Sequence, residues 1–528
     1  MNDAEHDHDE HHHYAYEPAD RFDGGDMDCG NGLLLQIRRR IDPLERGQLL
    51  EIRSTEPSVA EDLPAWCRMT GNDLVSTWHD RPPGSWSFLV SKGHFDPAVT
   101  RPRAAPRPIA SPAAADEATR YTAESVSGPA RQGGQVPVIA PLSVMGIGSW
   151  PRPDWLLTAL HDRLEGRLPD SDFQALADRA VAEVVQAQLE AGVDVVTDGE
   201  QRRDSYASFV GSRLDNCQLI PIVDLLPYVE HPDEFARELQ ALDVPAESVR
   251  HPAVFGRLTR SASRPLAVHE LTAVRKLTDR PVKVALPGPY LLTRTMWLEC
   301  VSDRVYETRE SLAGDIVAAL RQEIEALLAA GAAIVQLDEP VLTEVVHGRR
   351  ASGNRSFMCG ALGEKRATGE ELDLARSLLN QTLAGLPRER LALHVCRGNW
   401  TRDESAALAG NYAPLVPLFS SIPVGTLFLE LCTPRAGEIE VLKDIPQEVR
   451  IGVGVVDQKS DRIETPEEIV ARAERAIALF GPERVLLNPD CGFATFADSP
   501  ISAFDVAKAK LASLVQASRT LRKRYQMA

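Results

Sequence analysis

Short apolar runs recur between residues 137 and 524, each closing on polar residues or glycine. They are VMGIGSW (144–150), VDVVTDGE (193–200), PVKVALPG (281–288), AIVQLDEP (333–340), LALHVC (391–396), TLFLEL (426–431), RIGVGVVD (450–457) and RVLLNPDC (484–491). Runs of this length, bounded by turn residues, read as buried strands. Helical stretches separate most of them, such as 313–331 and 465–481. In the second of these, Thr465 and Glu468 predict a capping box, and Gly481 follows the last turn as a C-cap does. Repeated β/α units of this number predict a closed parallel (β/α)8 TIM barrel over 137–528. The long gap between the second and third strands, 205–270, reads as a helical insertion over the barrel top.

Residues 18–96 follow a different pattern and predict a small α+β domain. GNGLLLQIRRRI (30–41) places Leu33, Leu34, Ile37 and Ile41 at helical spacing. GQLLEIRS (47–54) reads as a strand, 58–71 as a helix stopped by Gly71, and 85–93 as a closing strand. Residues 97–136 have the Pro/Ala/Arg/Ser composition of a linker. Residues 1–17 form a His-rich acidic tract carrying His6, His8, His11, His12 and His13. It reads as a disordered solvated tail or as a weak metal scavenger.

Composition narrows the function classes. The chain has 528 residues, 43% of them hydrophobic, enough for two or three domains with a large core. A net charge of −18 argues against nucleic-acid and anionic-membrane partners. No apolar stretch approaches the ~20 residues that cross a bilayer, and the polar N-terminus is no signal peptide. A cytoplasmic protein is expected. The 8 cysteines are sparse and form no CxxC pair, which suits ligands or nucleophiles in a reducing compartment better than disulfides.

In such barrels the chemistry sits at the C-terminal strand ends. Those ends carry Ser149, Glu200, Asp338, His394, Cys396, Glu430, Asp457 and Cys491. His394 and Cys396 are two apart on one strand and share a face. Taken alone the pair reads equally as core packing, since free cysteine is among the most buried residue types. With Glu430 near the end of the sixth strand and Cys491 at the end of the eighth, one N, two S and one O donor are expected to converge on one mouth, a set that zinc takes in tetrahedral geometry.

The runs GIGSWPRP, VVTDGEQRRD, LPGPYLL, QLDEPVL, LHVCRGN, FLEL, GVGVVDQKS and NPDCGFAT, in this order, resemble the catalytic barrel of cobalamin-independent methionine synthase and its single-barrel relatives. The resemblance covers nearly all of 140–524. It implies a zinc-dependent S-methyltransferase that methylates homocysteine from a methyl-folate or a methyl-corrinoid protein. It places the Zn2+ ligands on His394, Cys396, Glu430 and Cys491, and the homocysteine contacts on Ser149, Glu200 and Asp338. Asp338 and Glu200 thereby belong to the catalytic set. Lys459 joins them, because it occupies the position of the family histidine linked to protonating the donor's leaving nitrogen. The family's pterin-stacking tryptophan falls near Thr295, with Trp297 displaced by two residues. Two other readings stay open: alkyl transfer to another small thiol, and a sulfur-relay or docking protein whose barrel binds thiols.

Residues 18–96 resemble TusA-like sulfur carriers, with Cys29 as the carrier cysteine and AEDLPAWCRMTGNDL as the second helix. The family's C-P-x-P here reads CGNG (29–32). A thiol at a helix N-terminus is expected to have a lowered pKa, which suits a persulfide and a sulfur-transfer partner. The alternative is a docking domain with an idle Cys29. Cys67, on the second helix, reads as packing.

Overall fold

The computed structural model describes residues 16–29, 32–79, 84–97, 138–164, 166–222, 250–298, 301–348, 367–399, 402, 408–498 and 500–527. The predicted linker 97–136, except its first residue, and most of the His-rich tract lie outside them. The chain divides into two compact units, Met1–Gln135 and Val136–Ala528. Among the described residues no helix is long and apolar enough to cross a membrane.

The first unit is a four-stranded sheet with two helices. Its strands are β1 (Asp20–Asp23), β2 (Leu49–Ser54), β3 (Asp73–His79) and β4 (Trp86–Ser91), in the order β1-β2-β4-β3. β1 runs parallel to β2, and the other pairs are antiparallel. The helices Leu33–Ile41 and Val59–Thr70 bury Leu33, Ile37, Ile41, Leu63 and Trp66 against Ile52 and Phe88. Two strands escaped the hydrophobic pattern for one reason. β1 and β3 are the sheet edges, and their residues are only partly buried, so neither needs an apolar run.

In the second unit the first two barrel runs and the helices Asp154–Leu164 and Asp170–Ala191 are followed by an antiparallel pair, β5 (Leu214–Pro221) and β6 (Arg250–Arg260). This corrects the helical reading of 205–270. Among its described residues before β6 only a 3-10 turn at Ser208–Ser212 is helical, and 223–249 lie outside the described set. The two arms pair across a long sequence separation, which no local periodicity reveals. Six parallel strands follow in sequence order: β7 (Lys283–Pro287), β8 (Ile334–Asp338), β9 (Leu391–Val395), β10 (Thr426–Leu429), β11 (Arg450–Val456) and β12 (Val485–Pro489).

The ring closes through the first two predicted runs, which pair by single bridges rather than full ladders: Val144 to Leu487, Met145 to Val195, and Val196 to Val282. The second run leaves the extended conformation early, because Gly199 (φ 70°) and Glu200 (φ 56°) are left-handed. All eight runs thus occupy the ring in the predicted order. Met145, Ile147, Val195, Ile334, Ala392, Phe428 and Leu486 form one cluster that fills the interior. A larger cluster packs strands against helices outside. The capping box of Thr465 and Glu468 forms as predicted, on the helix Pro466–Phe480.

Gly452 of β11 makes the interior possible. A Cβ there would run into the Phe428 ring. Gly452→Ala is therefore expected to destabilise the barrel by about 1–3 kcal/mol through overpacking. A lowered denaturant midpoint at unchanged slope is the check, and an unshifted midpoint would refute the packing account.

Candidate functional site

The strand ends deliver their side chains into one pocket. Its polar wall is Ser149, Glu200, Asp338, His394, Cys396 and Cys491. Ile147, Tyr206, Pro340 and Phe496 supply apolar wall. Six of the residues expected from the sequence therefore meet.

His394, Cys396 and Cys491 each offer a ligand atom, and these atoms lie within 4.8 Å of one another. All three residues are buried. The His394 Nδ1 sits 3.0 Å from Asp338 Oδ1, whereas Nε2 is buried without a hydrogen-bond partner. A carboxylate only accepts, so Nδ1 carries a proton, which makes Nε2 the nitrogen whose lone pair a metal would take. A carboxylate behind a histidine in this way orients it as a metal ligand. The Cys396 thiol is drawn down to about 7, first by the hydrogen bond from Cys491; burial opposes this, and His394 adds to it. An unpartnered imidazole nitrogen beside a thiolate-prone sulfur and a second thiol fits a soft or borderline divalent metal such as zinc.

Glu430 does not join this group of three. Its Oε2 accepts from the Arg397 backbone N–H at 2.8 Å, and its Oε1 is paired with Arg435. Sequence reading had the strand end right but could not see Arg435, five residues on. Lys459 is buried and within electrostatic reach of Glu430, Cys396 and Cys491, though it is not a wall residue of the pocket. Burial pulls its ammonium pKa down, with Arg435 adding to the effect. Thr295 is buried, and its hydroxyl donates to Leu291 and Leu292 carbonyls of its own helix.

Glu200 is held in a strained, left-handed backbone conformation (φ 56°), a feature that clusters at functional sites. A Cβ at Gly148 would collide with its carboxylate. Its Oε2 is buried without a hydrogen-bond partner. Burial raises its pKa to about 7; Arg203, 3.9 Å away, opposes this, and Asp338 reinforces it. Ser149 carries the loop after β12. Its carbonyl accepts from Phe493 N–H at 2.9 Å, and a Cβ at Gly492 would strike its hydroxyl.

Several bracing residues had escaped sequence reading. Glu339 accepts from the Tyr290 and Leu291 N–H groups at 2.8 Å each, capping the helix Pro289–Met296. Asp490 accepts from the Leu431 and Cys432 N–H groups. Asn399 bonds Gly492 O at 2.7 Å and takes a bond from Gln458 at 2.6 Å. The available signal was their place inside or beside the quoted runs, in QLDEP, NPDC and CRGN.

In the first unit Cys29 is buried in the apolar cluster around Leu33 and Trp66. Its pKa is pushed up to about 12, first by burial and then by the Asp62 carboxylate. This overturns the expectation of a lowered pKa. The helix begins at Leu33, after a left-handed Gly32, and the thiol faces core and carboxylate instead of a helix dipole. Cys67 is buried in the same cluster, as its packing role required.

The model of the cobalamin-independent synthase catalytic domain matches residues 142–226, 234–368 and 411–519. That of the sulfurtransferase TusA matches 32–92, a span that starts after Cys29. The methionine synthase of Saccharolobus solfataricus is 27% identical over 378 residues, 71% of this chain and 93% of the relative. That of Sulfurisphaera tokodaii is 28% identical over 347 residues, 66% of this chain and 84% of the relative. Among solved structures, the B12-independent methionine synthase of Shewanella sp. W3-18-1, in complex with selenomethionine, superposes with a TM-score of 0.54 at 22% identity. The match covers 73% of this chain and 99% of that one, a likeness of fold.

The state of Cys29 has a direct chemical readout. At pH 8 its alkylation by iodoacetamide should be at least ~100-fold slower than that of an unstructured cysteine peptide, because the thiolate is the nucleophile. Labelling at the peptide rate would show an activated carrier thiol after all.

Proposed function

The chain belongs to the cobalamin-independent methionine synthase family, and from that premise we propose that its barrel is a zinc-dependent S-methyltransferase that converts homocysteine to methionine. The observation that carries this reading is a pair of unpartnered buried atoms on one pocket. His394 Nε2 sits beside two sulfurs, and Glu200 Oε2 faces the same pocket without a hydrogen-bond partner.

His394, Cys396 and Cys491 would hold the zinc, with Glu430 as fourth ligand once released from Arg435. The chemistry that a bound zinc supplies there is deprotonation of a substrate thiol whose free pKa is ~8.5. The chain's own residues do the rest. Glu200 and Asp338 bind the substrate ammonium, one on each carboxylate. Ser149 and the loop docked on it hold the carboxylate end. Tyr206 and Phe496 exclude water from the reacting sulfur. The two protein thiolates keep local charge high, which favours a nucleophilic sulfur over a Lewis-acid role for the site. A small thiol without an amino group would leave Glu200 Oε2 buried without a hydrogen-bond donor, at a cost that disfavours it.

The methyl donor is a methyl-folate or a methyl-corrinoid. Thr295 has no π face to stack on a pterin, and its hydroxyl is already spent within its helix. Lys459 replaces an imidazole as proton donor; burial lowers its pKa and so brings it nearer that task. Cobalt leaves without needing a proton, whereas a folate amine does, and general-acid help is worth ~10²–10⁴-fold. Methylcobalamin or a methyl-corrinoid protein should therefore turn over homocysteine faster than triglutamyl methyl-folate, and Lys459→His should narrow the gap. Mass-resolved methionine formation from each donor tests this; a tenfold preference for the folate would reject the corrinoid reading.

Cys396→Ser should lose stoichiometric zinc and activity while the barrel stays folded, as metal analysis and circular dichroism would show. Full retention of both zinc and activity would sink the assignment. Glu200 predicts a pH dependence with a definite sign. Its raised pKa means that the carboxylate is charged above about 7 and neutral below. Binding of methionine, which has no ionisable thiol, should weaken as pH falls from 8 to 6, by roughly tenfold per unit at most. Calorimetry should find that slope in the wild type and lose it in Glu200→Gln; equal slopes would remove Glu200 from the ammonium site.

A further inference from the structure

A lysine stands inside the barrel, two strands away from the ligand histidine. Lys283 on β7 is only 1% exposed, and its Nζ lies 4.1 Å from the centroid of the Phe428 ring. It donates to Gln336 Oε1 at 2.7 Å. Gln336, wholly buried on β8, donates through Nε2 to Asp338 Oδ1 at 2.7 Å. The same oxygen takes His394 Nδ1 at 3.0 Å. Four buried groups on three adjacent strands thus form one chain ending at the unpartnered His394 Nε2.

Both ends of that chain agree on its direction. As an ammonium Lys283 has donors only, which turns the Gln336 oxygen to it and the nitrogen to Asp338; burial draws its pKa down to about 7, so the charged form prevails below that pH. Asp338 then receives two donors on Oδ1, which pins the carboxylate plane and leaves Oδ2 for the substrate. Its acceptor oxygen in turn fixes the proton on His394 Nδ1. The Asp338 carboxylate only accepts and so asks the amide nitrogen of Gln336 to face it as well; Lys283 adds the second anchor that holds the amide in that orientation. A buried hydrophobic residue would fill the same space with less desolvation cost, so packing alone does not account for a lysine here.

We propose that Lys283 and Gln336 are positioning residues that hold Asp338 in one rotamer and, through it, the His394 ring in one orientation, serving the metal ligand and the substrate ammonium together. This rests on the zinc reading above. Neither residue lines the pocket, and neither touches the reacting atoms.

The experiment uses the full-length zinc-loaded protein and the variants Lys283→Met and Gln336→Met, both close in volume to the originals. Zinc affinity is read by competition with a chromophoric chelator. The His394 Nδ1–H proton is read by NMR, assigned by its absence in His394→Asn. Each variant should bind zinc about tenfold more weakly, the lower range for outer partners of metal ligands. Each should also shift or broaden the Nδ1–H signal, and raise the KM for homocysteine. A merely structural lysine would lower the unfolding midpoint and leave that signal where it was. Wild-type zinc affinity with an unmoved signal in both variants would overturn the proposal, as would failure of both to fold. A wild-type protein that takes up no zinc would instead overturn the functional reading on which it rests.

Discussion

Ionisable groups buried in an apolar barrel are the constraint on which the rest of this structure depends. Asp338, His394, Lys283, Glu200, Glu430 and Asp490 are all nearly inaccessible to solvent. A charge in that environment persists only if something pairs with it. The barrel answers with chains of contacts instead of isolated pairs. Arg203 takes Glu270 through two nitrogens, at 3.1 and 2.6 Å, and stands beside Glu200. Arg397 donates to the carbonyls of Glu430, Gly410 and Ala436 while its guanidinium lies 3.9 Å over the Tyr412 ring. His394 Nε2 and Glu200 Oε2 are among the buried atoms left out of this satisfaction, and both belong to residues that line the same pocket.

The loops at the mouth are held by the same economy of contacts. Glu339 ties the end of β8 to the helix that follows β7, and Gly288 leaves room for its carboxylate. Asp490 ties the end of β12 to the turn after β10, and Gly454 leaves room for that side chain. The end of β8 is thereby tied to that of β7, and the end of β12 to that of β10. Rigid support of this kind is what precise positioning of reactive groups requires.

The two units differ in how far their chemistry is prepared. In the barrel the polar groups face an open pocket. In the first unit Cys29 is wrapped by core side chains and faced by Asp62, so its thiol is held protonated. The glycines that replace the family's prolines allow Gly32 its left-handed conformation, which proline could not adopt. The same α+β frame can therefore persist without the activated thiol that a sulfur carrier needs.

Much of this was legible in one dimension. Buried parallel strands must be apolar throughout, so the eight runs announced themselves, and their order around the ring followed. Strand alternation placed His394 with Cys396, and the strand ends named Ser149, Glu200, Asp338 and Cys491 as neighbours. Local pattern failed where a residue's state depends on distant partners. Edge strands β1 and β3 and the pairing of β5 with β6 carry no local apolar signature. The pairing of Glu430 with Arg435, the burial that raises Cys29, and the orientation that Lys283 and Asp338 give Gln336 arise from contacts across the fold. Sequence determined which donors would reach the barrel mouth, because period and strand order are local properties. Only tertiary structure decided their charge, tautomer and partners, because those depend on desolvation and on what packs opposite.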